Sequence, residues 1–187
     1  MSESLITKKA IANTLKEFTQ QKPFSKISIR DLTTTCGLNR QTFYYHFQDK
    51  YELLNWIYEQ EGFIPLMNGI TLENWHLKVM QLLEYMKQEQ RFYYETIYHD
   101  ECHFRNHLLN ITTHLFKEAI QRLDERQMTA LEEQQFIAEF FAYGVSGMIV
   151  SWVKSGMKQA PSELATQLKG IAIKCEKLAY VRYQEDF

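Results

Sequence analysis

Apolar residues recur every three or four positions along most of the chain, which is the spacing of helices with one buried face. In the first such segment, residues 7–20, Ile11, Leu15 and Phe18 lie on the same face. Later segments with this periodicity cover residues 72–89, 91–98, 103–126, 130–156 and 161–183. The pattern predicts an all-α fold of about nine helices.

Short helices follow the first one and are marked by capping residues. Ser28 and Asp31 have the spacing of a capping box, and Gly37 suits the left-handed backbone that ends a helix. Asn39 is a good N-cap, so we expect the next helix to begin at Arg40 after a very tight turn. Two short helices joined in this way must cross steeply, as they do in a helix-turn-helix.

Two further capping pairs set later helix starts. Asp49, with a glutamate three residues later, predicts a fourth helix that runs to about Gly62. Residues 63–71, which contain a proline and a glycine, are expected to form a connection. Thr129, also followed by a glutamate at the third position, predicts a capping box for the helix at 130–156.

Charge divides the chain into two unequal parts. The formal net charge is −2, but residues 1–50 hold eight Lys/Arg against four Asp/Glu, a net charge of +4, and the remainder carries −6. We therefore predict two domains: a basic helix-turn-helix head, residues 1–60, and an acidic helical body, residues 61–187. A basic head of this kind is expected to meet a polyanion such as double-stranded DNA.

The predicted helix at residues 40–47 contains four aromatic rings. Phe43 and Phe47 are four residues apart and share the face that must pack against the preceding helices. The side chains turned away from that face belong to Gln41, Thr42, Tyr44, Tyr45 and His46, and Arg40 lies beside the two tyrosines. Such groups suit phosphate oxygens and base edges in a major groove, although a helical hairpin with unused surface tyrosines would show the same pattern.

The segment "ISIRDLTTTCGLNRQTFYYHFQDKYELL", residues 27–54, resembles the helix-turn-helix of TetR-type transcriptional regulators. The resemblance implies a helical carboxy-terminal domain that forms a homodimer and holds an effector pocket. It also implies roles for side chains by position. Those expected to approach bases are Arg40, Gln41, Thr42 and Tyr44, and those expected to grip phosphates are Ser28, Tyr45, His46 and Lys50.

Residues 136–168, "FIAEFFAYGVSGMIVSWVKSGMKQAPSELATQL", are similar to the subgroup of this family linked to dihydroxyacetone kinase operons. That likeness implies activation of dihydroxyacetone kinase genes at a (pseudo)palindromic operator, together with a co-activator protein related to a subunit of the kinase. The alternatives are a repressor released by a small molecule in the body, and a protein-interaction module in which the head is secondary.

The helix at 130–156 also points to a homodimer. It is apolar all round over residues 136–153, and Gly144 and Gly147 allow another helix to approach closely. Pairing it and the helix at 161–183 with a symmetry mate would place two recognition helices about 34 to 36 Å apart. The predicted interface residues are Phe140, Tyr143, Gly144, Gly147, Met148, Trp152, Ile171, Cys175 and Leu178. A fully internal helix of a monomer is the alternative, and Glu139 disfavours a membrane span.

Outside the head, the sequence gives only weak evidence for a metal site or a catalytic site. His99, His103 and His107 repeat every four residues and could bind a metal, but no glutamate completes an HExxH frame, so we expect a polar or pocket-lining face. Aromatic residues between Trp75 and Phe116 either line an effector cavity or fill the bundle. No catalytic motif is present, and we predict neither an enzyme nor a bound cofactor or metal.

Cysteine usage and the amino-terminal sequence bear on location. The three cysteines are odd in number and lack CxxC spacing, which fits a reducing compartment. The first 18 residues carry charges through their apolar positions and lack the apolar block of a signal peptide. We therefore expect a cytoplasmic protein.

Overall fold

A computed structural model describes residues 3–124 and 129–185, with the side chains of residues 123 and 176–185 left out of the description. The described chain is helical and contains no strand, so the all-α prediction is confirmed. The helices are α1 (Glu3–Thr19), α2 (Ile29–Thr35), α3 (Arg40–His46), α4 (Lys50–Ile57), α5 (Ile64–Met67), α6 (Trp75–Gln88), α7 (Gln90–His99), α8 (Glu101–Leu123), α9 (Leu131–Lys154) and α10 (Pro161–Glu185).

The short helices of the head form where the capping residues predict. Ser28 Oγ accepts a hydrogen bond from Asp31 N at 3.1 Å, and Asp31 Oδ2 accepts one from Ser28 N at 2.9 Å, which completes the capping box of α2. Gly37 has φ +65°, the left-handed conformation that costs glycine least. Asn39 then caps α3, since its Oδ1 accepts from Thr42 N at 2.7 Å. Local sequence therefore places α2 and α3 next to each other.

The fourth helix is longer than predicted. After α4, a π-helical segment (Tyr58–Phe63) leads directly into α5, so helical backbone continues past Gly62 and includes Pro65 at the start of α5. Pro65 lies at one of the first two positions of α5. The connection begins only at Asn68. The predicted boundary at residue 60 thus falls inside a continuous helical stretch.

One predicted cap is wrong. The N-cap of α9 is Ala130, whose side chain makes no capping hydrogen bond, so Thr129 does not form a capping box. Thr129 instead donates its backbone N–H to Asp124 Oδ2 at 2.8 Å, and its carbonyl accepts from Gln134 Nε2 at 3.1 Å. The side chains of Asp124 and Gln134 therefore organise this helix start.

Aromatic rings fill the interior of the body. Tyr58, Phe92, Tyr93 and Phe104 are buried and meet ring to ring, with Tyr58 to Phe104 at a centroid separation of 5.3 Å. The hydroxyl of Tyr58 donates to Thr96 Oγ1 at 2.7 Å. Of the two roles expected for the aromatic segment, these rings take the packing role.

Helix α9 is half buried in the single chain. Its inner side packs on α8, while Phe136, Phe140 and Tyr143 are each more than 60% exposed. The alternative of a fully internal helix is therefore wrong. With a mean hydropathy of 1.5 over 18 residues, α9 is long and apolar enough to cross a membrane by composition, but one such helix is weak evidence because core helices share this property.

Candidate nucleic-acid interface

Helix α3 is held down by two phenyl rings. Phe43 is 0% exposed and Phe47 is 2% exposed, and their ring centroids lie 5.8 Å apart in the core of the head. Because the two residues are four apart, they fix which side of α3 faces inward. The predicted burial of these two rings is confirmed.

The opposite side of α3 presents polar groups to solvent. Tyr45 is 82% exposed, and Arg40, Gln41 and Tyr44 are also exposed, whereas Thr42 is half-buried beside the N-cap. Arg40 Nη2 donates to the Tyr44 hydroxyl at 3.2 Å and lies over the Tyr44 ring. This contact pre-orients a guanidinium and a phenol side by side. Together the four exposed side chains offer donors and acceptors of the kind that read base edges and hold phosphates.

A second group of polar side chains surrounds the start of α2. Ser28 is exposed, and because its oxygen accepts the capping bond, its hydroxyl proton remains available to donate. Lys22 Nζ lies 2.8 Å from Asp31 Oδ2. That hydrogen bond, together with those from Ser28, lowers the pKa of Asp31 to about 2, so the capping carboxylate stays ionised at neutral pH.

The sequence predicts that the side chain of Lys50 is free to contact phosphate. In the structure this side chain is bound to backbone carbonyls instead. Its Nζ donates to the carbonyl oxygens of Phe24, Ser25 and Ile27 at 3.0, 3.2 and 3.1 Å. An ammonium group has three donors, so all of them are engaged. Lys50 therefore ties α4 to the 3₁₀ turn (Phe24–Lys26) that leads into Ser28, and burial lowers its pKa.

His46 and Lys8 form an edge of the same surface. The His46 ring is half-buried and packs edge-on against Tyr45 at 5.0 Å, while Lys8 Nζ lies 5.3 Å from the centre of the Phe47 ring. Burial, and then the charge of Lys8, lower the pKa of His46. Sequence analysis did not assign Lys8. The sequence feature that could have identified Lys8 is its position as a basic residue on α1 within the positively charged head.

The predicted dimer residues fall into four groups, one of which is the buried Trp152. Phe140, Tyr143, Gly144, Gly147 and Met148 on α9 and Ile171 on α10 are exposed, and Cys175 is half-buried. The side chain of Leu178 lies outside the described part of the chain.

Trp152 is a correction to that set. It is 4% exposed, and its Nε1 donates to Gln159 O at 3.0 Å inside the subunit. Steps of four residues drift around a helix, and the three steps from Phe140 to Trp152 add a rotation of about 120°. This drift turns Trp152 from the outer face into the core, so we remove it from the predicted interface.

The three histidines have separate partners. His99 Nε2 lies 3.8 Å from Glu95, His103 Nδ1 lies 3.3 Å from Asp100, and the His107 ring stacks on Phe63 at 5.2 Å. Among the described residues no group of three or more His, Cys, Asp or Glu side chains could hold a metal ion.

Comparison with known proteins assigns the family. A family model described as "Bacterial regulatory proteins, tetR family" matches residues 11–57, and one described as "Transcriptional regulator C-terminal region" matches residues 73–174. The chain belongs to the TetR family. The head resemblance is thereby confirmed, and the matched families are DNA-binding transcriptional regulators, not enzymes.

A curated relative within the TetR family supports a resemblance to one subgroup of that family. The HTH-type dhaKLM operon transcriptional activator DhaS of Lactococcus lactis subsp. lactis (strain IL1403) is 38% identical over 94 residues, which is 50% of this chain and 50% of the relative. The chain thus matches about half the length of that curated relative. The resemblance to the dihydroxyacetone kinase operon subgroup is confirmed to this extent.

Solved structures of the TetR family share the whole fold. The dihydroxyacetone kinase operon activator DhaS matches with a TM-score of 0.71 and 26% identity, over 93% of this chain and 98% of that one. A TetR-family transcriptional regulator from Pectobacterium atrosepticum matches with a TM-score of 0.54 and 18% identity, over 91% of this chain and 93% of that one, and shows the fold alone.

Proposed function

We propose that this TetR-family regulator acts as a homodimer on a (pseudo)palindromic operator and activates dihydroxyacetone kinase genes together with a co-activator protein. The observation that carries DNA recognition is the geometry of α3, where Phe43 and Phe47 are buried and Tyr45 is 82% exposed. The names of the DhaS relatives support the operon and the activating role. The protein would carry out this function in the cytoplasm.

Within this proposal, the side chains of the head divide by task. Those that would approach base edges are Arg40, Gln41, Thr42 and Tyr44, and those that would contact phosphates are Ser28, Tyr45 and His46. Lys50 would act mainly as a positioning residue, because its three donors already hold the turn before Ser28. Phosphate contacts would fix the register of the head, and the base contacts would select the sequence.

The homodimer would form through the outer face of α9 and α10. Phe140 and Tyr143 are large apolar side chains left exposed on α9, and Gly144 and Gly147 have open space where a Cβ would be. A symmetry mate packed there would bury this surface and place two α3 helices about 34 to 36 Å apart, one turn of DNA. We propose residues 1–60 as the DNA-binding domain and 61–187 as the dimerisation and partner-binding domain.

Control through a co-activator is favoured by the packing of the body. Tyr58, Phe92, Tyr93 and Phe104 fill the space among α4, α7 and α8 with buried rings. An effector bound at this centre would have to displace those rings. A partner protein bound to the surface would not.

A small-molecule repressor is the second candidate, and one observation favours it. An open groove of about 530 Å³ lies between α8 and α9 and is large enough for a small ligand. It is lined by Asn106, Leu109, Asn110, Thr113, His114, Lys117, Gln135, Glu139 and Tyr143. Calorimetry of the isolated protein with dihydroxyacetone separates the two candidates, since tight binding would favour this groove over a co-activator.

The decisive experiment is footprinting on DNA upstream of the protein's own gene neighbourhood. We expect protection of two half-sites about one helical turn apart, and transcription that rises only when the co-activator is added. Protection that disappears on adding a small molecule, with no need for a partner, would instead support the repressor.

Dimerisation has its own test. Phe140→Asp would place a charge in the proposed interface and should yield monomers in light scattering, whereas Tyr98→Asp, at an exposed tyrosine of α7, should leave a dimer. A Phe140→Asp protein that remains fully dimeric would remove this face from the interface.

A further inference from the structure

Charged residues from three parts of the chain meet where α1 contacts the body. Lys16 Nζ, on α1, lies 2.8 Å from Glu61 Oε2 in the π-helical segment and 3.5 Å from Glu89 Oε1 between α6 and α7. All three side chains are mostly buried. One ammonium group of the head is therefore shared by two carboxylates of the body.

The same carboxylate oxygen has a second donor from the body. The hydroxyl of Tyr85, on α6, donates to Glu61 Oε2. Burial, and then its hydrogen bond to Glu61, raise the pKa of Tyr85, so the phenol keeps its proton and remains a donor. Glu61 is thus held between Lys16 on one side and Tyr85 on the other.

The π-helical segment fixes where Glu61 points. A π turn adds a residue to the helical turn and shifts the direction of the side chains that follow, and such turns are frequent at functional sites. A Cβ added at Gly62 would meet Leu82 Cδ1 and the Tyr93 hydroxyl at 3.4 Å, so the backbone here lies close against α6 and α7. This close packing gives Glu61 a firm base in the body.

A second contact ties the end of α1 to α7. Arg91 Nε donates to Thr19 O at 3.3 Å. The second half of α1 is thereby held to the body by the two ion pairs of Lys16 and by the hydrogen bond to the carbonyl of Thr19. A further ion pair among the described residues of the head, Lys22 with Asp31, lies wholly within the head.

We propose that the cluster of Lys16, Glu61, Tyr85 and Glu89 is a positioning site that fixes the angle of the head on the body. In the homodimer this angle determines which half-site spacing both heads can engage at once, so the proposal rests on the proposed function. Binding through two linked sites is strong only when their geometry matches the span. Removing the ammonium group also leaves two neighbouring carboxylates without their shared cation.

The test measures how strongly the Lys16→Met variant prefers the natural spacing between half-sites over an altered one. Wild-type protein should prefer its operator by about tenfold over a copy with one base pair inserted between the half-sites, and Lys16→Met should reduce that ratio to about twofold. Lys16→Arg, which keeps the charge, should retain the preference. The matched control is Lys22→Met, because Lys22 has the same 2.8 Å ion-pair distance but does not bridge head and body.

A purely structural role would lower stability without changing the spacing ratio, so thermal unfolding is measured on every variant. A folded Lys16→Met protein with the wild-type ratio would overturn the proposal. If Lys16→Met does not fold, Glu61→Gln removes the shorter of the two ion pairs of Lys16 with little change in volume and carries the same expectation.

A measurement without DNA separates this proposal from the proposed function. Spin labels at Ser25→Cys in the head and Gln81→Cys in the body, in a full-length chain whose three native cysteines are replaced by serine and diluted into unlabelled protein, report one intrachain distance. A narrow distribution that broadens in Lys16→Met supports the positioning site even if no operator is found. An equally narrow distribution in both proteins refutes it.

Discussion

Helix α3 and the centre of the body each gather several aromatic rings, and they differ in where their tyrosine hydroxyls lie. Tyr44 and Tyr45 of α3 present theirs to solvent, whereas Tyr58 and Tyr93 of the body are buried. Helix α3 has one packed side, defined by Phe43 and Phe47. Helix α7 of the body, which carries Tyr93, is enclosed on several sides. The same residue type is therefore exposed in one region, where we propose that it contacts DNA, and packs in the interior of the other.

The largest effect is expected from removing a ring that holds α3 in place. Phe43→Ala empties a fully buried position and should lower the free energy of unfolding by about 3–5 kcal/mol. Operator binding should fall with it, because the outer face of α3 loses its support. Chemical denaturation measures the first effect and anisotropy with labelled operator the second. An unchanged unfolding midpoint would contradict the packing role of this ring.

Removing an exposed ring of α3 should weaken operator binding but leave the stability of the protein almost unchanged. Tyr45→Ala should weaken operator binding by about five- to tenfold, the value of one or two hydrogen bonds, and leave stability within about 0.5 kcal/mol. Tyr45→Phe, the matched variant, removes only the hydroxyl and should account for most of the loss. Because the group is neutral, the salt dependence of binding should keep its slope. Wild-type affinity in both variants would take Tyr45 out of the interface.

Within the body, two buried tyrosines should respond differently to loss of the hydroxyl. Tyr58 donates to Thr96, so Tyr58→Phe should cost about 0.5–1.5 kcal/mol. The Tyr93 hydroxyl is buried and has no hydrogen-bond partner among the described residues, so Tyr93→Phe should be neutral or stabilising by up to about 1 kcal/mol. Thermal unfolding of the two variants side by side tests the difference, and equal losses would contradict it.

The smallest effect concerns pH. Burial and Lys8 lower the pKa of His46 in the free protein, whereas a bound phosphate would favour the protonated ring. DNA binding should therefore take up a proton, so affinity should rise a few-fold as pH falls from about 8 to about 6. Asp31, with a pKa of about 2, stays ionised throughout. The increase should vanish in His46→Gln, and a pH dependence that persists there would exclude His46 as its source.

Short-range sequence features were predictable because they depend on neighbouring residues. The Ser28 capping box, the Asn39 cap and the left-handed Gly37 each involve groups within four positions of one another. The buried pair Phe43 and Phe47 follows from helical periodicity alone. Where the expected cap at Thr129 failed, a contact of its backbone N–H with Asp124 had replaced it.

The direction in which each side chain of a long helix points was less predictable than the residues at which the helix begins and ends. The sequence analysis predicted that Trp152 lies in the dimer interface, and the structure buries it inside the subunit, since small rotations accumulate over successive turns. The π-helical segment, where the backbone at Gly62 lies close to Leu82 and Tyr93, also carries the chain in a helix past the expected end.

The sequence by itself determined the all-α fold, the capped short helices of the head, and which side of α3 is free, because each depends on spacing along one helix. Only the tertiary structure decided that Lys50 holds three carbonyls of a turn more than twenty residues away, and that Lys16 pairs with Glu61 across the junction of head and body. These contacts join residues distant in sequence, and no local pattern specifies which donor meets which acceptor once the helices pack.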